Sequence, residues 1–138
     1  MKFIRTKLDG AWIVEPDRHE DDRGFFARTW CQRELSEHGL TSTLSQSSIS
    51  FNHRKGTVRG MHFQRAPHAE AKLVRCTAGA ILDVIVDLRP DSPTFMNHMA
   101  IRLDARLRNA VSEPEMFLVI LQARSGFSID DAAATRFA

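Results

Sequence analysis

The sequence predicts an all-β protein, an antiparallel sandwich or barrel with one short helix. Three observations lead there. Short runs of alternating apolar and polar residues recur along the chain, the clearest from Ile81 to Leu88. Turn-forming Gly, Pro, Asn and Asp punctuate them at close intervals, which suits a hairpin-rich sheet. Only Cys31 to His38 has good helix-forming composition, and that stretch is too short to form a core. The alternation of strands with long helices that marks a parallel sheet is absent. At 138 residues the chain is long enough for one domain with a core, taken as 1–138.

Taken in order, the elements are five to seven short strands. Ala11 to Glu15 is a strand stopped by Pro16. His19 to Arg23 reads as a polar loop closed by Gly24, and Gly24 to Arg28 as extended chain with Phe25 and Phe26 as core residues. Cys31 to His38 is the helix, with Gly39 as its natural stop. Thr41 to Phe51 alternates weakly and is expected to be a strand with one polar face, on which Gln46 sits. Asn52 to Gly56 is a turn. Val58 to Gln64 and Lys72 to Cys76 are strands joined through Pro67. After a turn at Gly79, Ile81 to Leu88 places Leu82, Val84, Val86 and Leu88 on one face and Ile81, Asp83, Ile85 and Asp87 on the other. His98 to Asp104 is a further strand beyond the loop Arg89 to Pro93.

Composition removes several functions. A net charge of +2 gives no reason to expect nucleic-acid or membrane binding. The longest apolar run, Met116 to Leu121, is far too short to span a bilayer. Cys31 and Cys76 have neither zinc-site spacing nor a disulfide framework, and they read as reduced thiols of a cytoplasmic protein. No dinucleotide-binding, phosphate-loop or nucleophile-elbow motif is present.

The chemistry concentrates between Val58 and Cys76. His62 can move protons near neutral pH. Arg59, Arg75 and Lys72 suit an anionic ligand. Strict alternation puts His62 with Val58, Gly60 and Gln64, and Arg59 on the opposite face. Arg59 and His62 therefore share a pocket only if the strand is irregular between them, and Gly60 is where a bulge is cheapest. Arg23 reads equally as an anion ligand or a solvated loop charge. A metal-dependent reading would use His62, His68 and Glu70, but six residues and a proline separate the two histidines and no H-x-H pair exists.

Four motifs now bear on identity: Asp22-Arg23-Gly24-Phe25-Phe26, Arg59-Gly60-Met61-His62-Phe63-Gln64, Lys72-Leu73-Val74-Arg75-Cys76, and Asp83 to Arg89 followed by Ser92-Pro93-Thr94. In this order and spacing the chain resembles the dTDP-4-dehydrorhamnose 3,5-epimerase family over roughly 1–111. The resemblance implies a cupin-type jelly-roll barrel (a double-stranded β-helix), a homodimer in the cytoplasm, and no cofactor or metal. It implies epimerisation at C3 and C5 of a thymidine-diphosphate 4-keto-6-deoxy sugar, on the way to dTDP-rhamnose. His62 would be the base and Lys72 would stabilise the enolate oxygen. Arg23, Phe26, Gln46 and Arg59 would bind the nucleotide sugar.

The resemblance weakens beyond Phe117. Glu113 to Phe117 begins like the family's P-E-G-F-A-H-G-F segment, but no His follows. The family's general acid is a tyrosine, and this sequence has none. The Asp that orients the family's catalytic His has no counterpart, and Arg28 stands where many members carry a substrate-binding Glu. The expectation is a family-like part, 1–117, and a divergent tail, 118–138, from a truncation or frameshift, with the barrel lacking its last strands unless Leu118 to Gln122 fills in. Impaired epimerisation is expected, the alternative being an inactive sugar-nucleotide-binding or assembly module on the same barrel.

Overall fold

A computed structural model of the chain describes residues 1–124. It contains ten strands and one helix: β1 (Lys2–Arg5), β2 (Trp12–Glu15), β3 (Arg18–Asp21), β4 (Gly24–Ala27), α1 (Gln32–Glu37), β5 (Val58–His62), β6 (Lys72–Arg75), β7 (Ala80–Asp87), β8 (His98–Asp104), β9 (Ala110–Glu113) and β10 (Phe117–Arg124). They form one sheet in the order β1-β2-β9-β6, a second in the order β5-β10-β7-β8, and a separate hairpin β3-β4. Neighbouring strands run antiparallel. From β5 onward the chain crosses repeatedly between the two large sheets, with β5, β7, β8 and β10 in one and β6 and β9 in the other.

That core lies between the sheets. Val111 comes from β9, and Ile85, Ile101, Leu103, Phe117 and Val119 come from β7, β8 and β10. Leu8, Ala11 and Cys76 close it, and Ile13 and Val74 pack against it. On β7 the inward face is the one with two carboxylates: Asp83, Ile85 and Asp87 are each fully buried. Asp87 is accommodated by a clamp. Its carboxylate accepts from the Arg89 guanidinium at 2.7 and 2.9 Å, from Ser92 at 2.5 Å and from Thr94 at 2.7 Å. Burial alone would raise its pKa, but these donors outweigh that and hold the carboxyl well below the usual range.

Several expectations need correcting. His19 to Arg23 is not a loop: Arg18–Asp21 is β3, paired with β4 across a two-residue turn. The alternation there was hidden because every β3 residue is exposed. Phe25 and Phe26 are not core; they are 39% and 74% exposed. Among the described residues nothing covers the hairpin at Phe26, and Phe25 is flanked instead by the guanidiniums of Arg18 and Arg108 at 5.2 and 4.8 Å. Residues 41–52 form no strand. Their Ser- and Thr-rich backbone has no ladder partner among the described residues, and weak alternation alone cannot supply one. The helix is placed as expected, with Gly39 at φ 70 just past its end.

The stretch 118–122 does fill in. It forms most of β10, the strand inserted between β5 and β7. The rest of the expected tail, 125–138, lies outside the described residues.

Candidate active site

The register of the second sheet brings Arg59 and His62 to one face. Across β10, Arg59 stands opposite Leu121, Gly60 opposite Ile120 and His62 opposite Val119. Two residues on β5 are thus spanned by one step on β10, which is a bulge with Met61 as the extra residue. Leu121 and Val119 are two apart and share a face, so Arg59 and His62 share it too. That face is the inward one, because Val119 and its β7 partner Ile85 are buried. Gly60 makes the bulge possible. Its φ is +115, and a Cβ there would lie 2.6 Å from the Val119 carbonyl oxygen.

Lys72 reaches the same interior from the other sheet. It pairs with Glu113, and two residues on Val74 pairs with the buried Val111, so Lys72, Val74, Val111 and Glu113 share the inward face. The Lys72 ammonium lies 3.2 Å from Glu70 Oε1 and is 27% exposed. With its amide nitrogen turned toward Glu70, Gln64 donates to the same carboxylate. The inward-facing rows thus carry an imidazole and a guanidinium on the edge strand of one sheet and an ammonium on the other sheet.

Arg59 and His62 are exposed, since β5 is the edge strand of its sheet. The Arg59 guanidinium is held by Asn52 Oδ1 at 2.7 Å and the Phe51 carbonyl at 2.8 Å. The fork is thus oriented, with donors left for an anion.

The other expected binding residues are not brought to this interior. Arg23 is in the β3–β4 turn, 89% exposed, its guanidinium bound to Asp21 at 2.5 and 3.2 Å. Phe26 lines a cleft of about 500 Å³ that also includes Arg75, Cys76 and Arg108. Arg75 faces away from Lys72 on β6, and Lys72 does not line this cleft. Gln46 is exposed in the irregular segment 41–52. Arg28 is engaged with Glu34 at 2.9 Å; that carboxylate also binds the N-terminal ammonium, and the two together bring its pKa down to about 2. Among the described residues no three His, Cys, Asp or Glu side chains gather into a metal-holding group, so His62, His68 and Glu70 do not form one.

Sequence reasoning did not single out Glu113 or Asp83 as site residues. Both are buried, at 1% and 0% exposure, in the interior that Lys72 enters. The available signal was Glu113 itself, an ionisable residue directly after the uncharged run Ala110-Val111-Ser112.

Comparison with known proteins decides the family. The family model described as dTDP-4-dehydrorhamnose 3,5-epimerase matches residues 5–127. The chain belongs to the dTDP-4-dehydrorhamnose 3,5-epimerase family. It is 41% identical over 116 residues to the Methanothermobacter thermautotrophicus protein of that name, covering 84% of this chain and 62% of the relative. The crystal structure of the Elizabethkingia anophelis epimerase superposes with a TM-score of 0.86 at 35% identity, covering 91% of this chain and 68% of that one. The Bacillus anthracis epimerase, solved with TDP and pyrophosphate bound, gives 0.84 at 35% identity, covering 94% and 80%. The fold is accordingly the cupin-type jelly roll of this family. The chain spans less than two thirds of the length of the curated relatives it matches, 62–64% for the first three.

Proposed function

We propose that the chain acts on a thymidine-diphosphate 4-keto-6-deoxy sugar and exchanges protons at C3 and C5, the epimerisation that leads to dTDP-4-dehydro-L-rhamnose. The observation that carries this reading is the bulge at Gly60, which turns His62 and Arg59 together toward the interior that Lys72 enters from the opposite sheet. C3 and C5 both flank the C4 ketone, so removing either proton produces an enolate with its charge on the C4 oxygen. His62 takes the proton as base, and the Lys72 ammonium offsets the oxyanion. Arg59 meets the diphosphate. Arg23, Phe26 and Gln46 complete nucleotide binding, from the hairpin and from the irregular segment 41–52, where the ligand or a second copy of the chain meets them. Bound TDP in the Bacillus anthracis relative supports the nucleotide part of this reading.

Reprotonation is where these 138 residues differ from what the resemblance implies, because they include no tyrosine. The proposed outcome is proton exchange with impaired inversion, the enolate being protonated by solvent. Incubating the protein with the keto-sugar nucleotide in D₂O tests this by NMR. Deuterium at C3 or C5 with little inversion is expected. Tight nucleotide binding without any deuterium uptake would instead make the chain a binding module.

We further propose a homodimer. Phe26, Leu44, Ile49 and Phe51 are 74%, 62%, 94% and 68% exposed, and they lie on the hairpin and the unpaired segment that a second copy would cover. Light scattering after size-exclusion chromatography reads this directly. A cytoplasmic location is proposed on the two free thiols, Cys31 and Cys76.

A further inference from the structure

We propose that Glu113 and Asp83 form a carboxyl pair sharing one proton, and that this pair positions Lys72 by facing its ammonium with one buried negative charge rather than two. The role assigned to Lys72 rests on the function proposed above; the pair itself does not.

The geometry begins with register. Glu113 on β9 stands directly opposite Lys72 on β6, so their side chains leave the same face of the sheet as immediate neighbours. Asp83 projects inward from β7 in the opposing sheet. All four carboxyl oxygens of Asp83 and Glu113 are buried, and none receives a hydrogen bond from another group among the described residues. This is unlike Asp87 on the same strand, whose oxygens are taken up by Arg89, Ser92 and Thr94. Two ionised carboxylates without a donor are very costly to bury, whereas one proton shared between them supplies the missing donor as a charge-assisted hydrogen bond. Burial pushes both carboxyls up, and for Glu113 the neighbouring Asp83 pushes further while Lys72 pulls back.

The surroundings leave few other charges to alter this balance. Asp83 is flanked in its sheet by Leu121 on β10 and Ile101 on β8. The next residue in the same row is Arg59 on β5, beyond Leu121. Glu113 has Val111 as its inward neighbour two residues back on β9 and Lys72 across from it. On the solvent side Lys72 meets Glu70. Lys72 thus stands between the half-buried Glu70 carboxylate and the buried pair. Loss of the shared proton at higher pH doubles the inner charge and draws the ammonium away from the position where an enolate oxygen would meet it.

The test has two arms. The first needs no substrate: side-chain carboxyl carbons of Asp and Glu are followed by carbon-13 NMR against pH in the wild type, Glu113→Gln and Lys72→Met. One carboxyl titrating above pH 7 is expected. It should disappear in Glu113→Gln and move to higher pH in Lys72→Met, by about half a unit or more. Titration of every Asp and Glu below pH 6, or a pair unmoved by Lys72→Met, overturns the proposal. The second arm measures deuterium exchange into the keto-sugar. Glu113→Gln, which still donates to Asp83, should keep its turnover at pH 7 within about threefold and lose the alkaline fall of the wild type. Glu113→Leu should lower kcat tenfold or more with KM little changed. An alkaline limb identical in wild type and Glu113→Gln overturns the positioning role. If the wild type shows no exchange at all, the proposed function fails while the first arm still decides the pair.

Discussion

Substituting Gly60 by alanine should damage both the fold and the site, and the size of the effect follows from the geometry. At φ +115 any side chain is strained, a cost of about 1–2 kcal/mol. The added Cβ would also sit 2.6 Å from the Val119 carbonyl oxygen and 3.3 Å from the Ile120 Cα, both backbone atoms that cannot swing aside. Relieving such an overlap costs about 1–3 kcal/mol. A stiffer unfolded chain returns roughly 0.4–1 kcal/mol. Gly56→Ala is the control: its φ is +79, but nothing lies within 4 Å of the new Cβ. The difference between the two variants isolates the contact with β10, and Gly60→Ala should be the less stable by about 1–3 kcal/mol in urea unfolding. If the bulge relaxes to escape the overlap, Arg59 and His62 no longer share a face, and deuterium exchange should fall much further than in Gly56→Ala. Equal stability and equal exchange in the two variants would refute the assignment of the bulge to Gly60.

Other substitutions separate structural from functional roles. Asp87→Ala strands the Arg89 guanidinium and the two hydroxyls, and it should cost about 3 kcal/mol by chemical denaturation. Because the native Asp87 pKa is depressed, its contribution is present above the unfolded value of about 3.9 and is lost as pH falls from there through the lowered native value. Acid unfolding of an Asp87→Asn variant should therefore be less steep than that of the wild type. Lys72→Ala should reduce the rate of exchange by about 10²–10³-fold, as loss of an oxyanion partner does, with nucleotide affinity changing much less. Phe26→Ala should leave stability within about 0.5 kcal/mol, since the ring is 74% exposed, yet weaken nucleotide binding measured by calorimetry.

What was legible in the sequence depended on whether a local pattern or a distant partner decided the outcome. The alternation through β7 and β8 and the glycine after α1 are local, and each was found where expected. The need for an irregularity between Arg59 and His62 followed from strand periodicity alone, and Gly60 supplies it. The strand expected over 41–51 failed because pairing is a property of neighbours, which weak Ser/Thr alternation does not encode. β3 was missed because, with all four residues exposed, it has no apolar face to announce it. Phe25 and Phe26 were misplaced because ring hydrophobicity says nothing about whether a second layer exists to cover them. For Glu113, sequence showed only a charge at the end of an uncharged run. Only the register opposite Lys72 and the absence of donors reveal what surrounds it.

The most direct measurement compares wild type with His62→Ala in D₂O, following deuterium at C3 and C5 of the keto-sugar nucleotide while calorimetry records nucleotide binding. Loss of exchange at both carbons with binding retained is predicted, since His62 is assigned the proton and Arg59 the diphosphate. Undiminished exchange in His62→Ala would contradict the placement of the base.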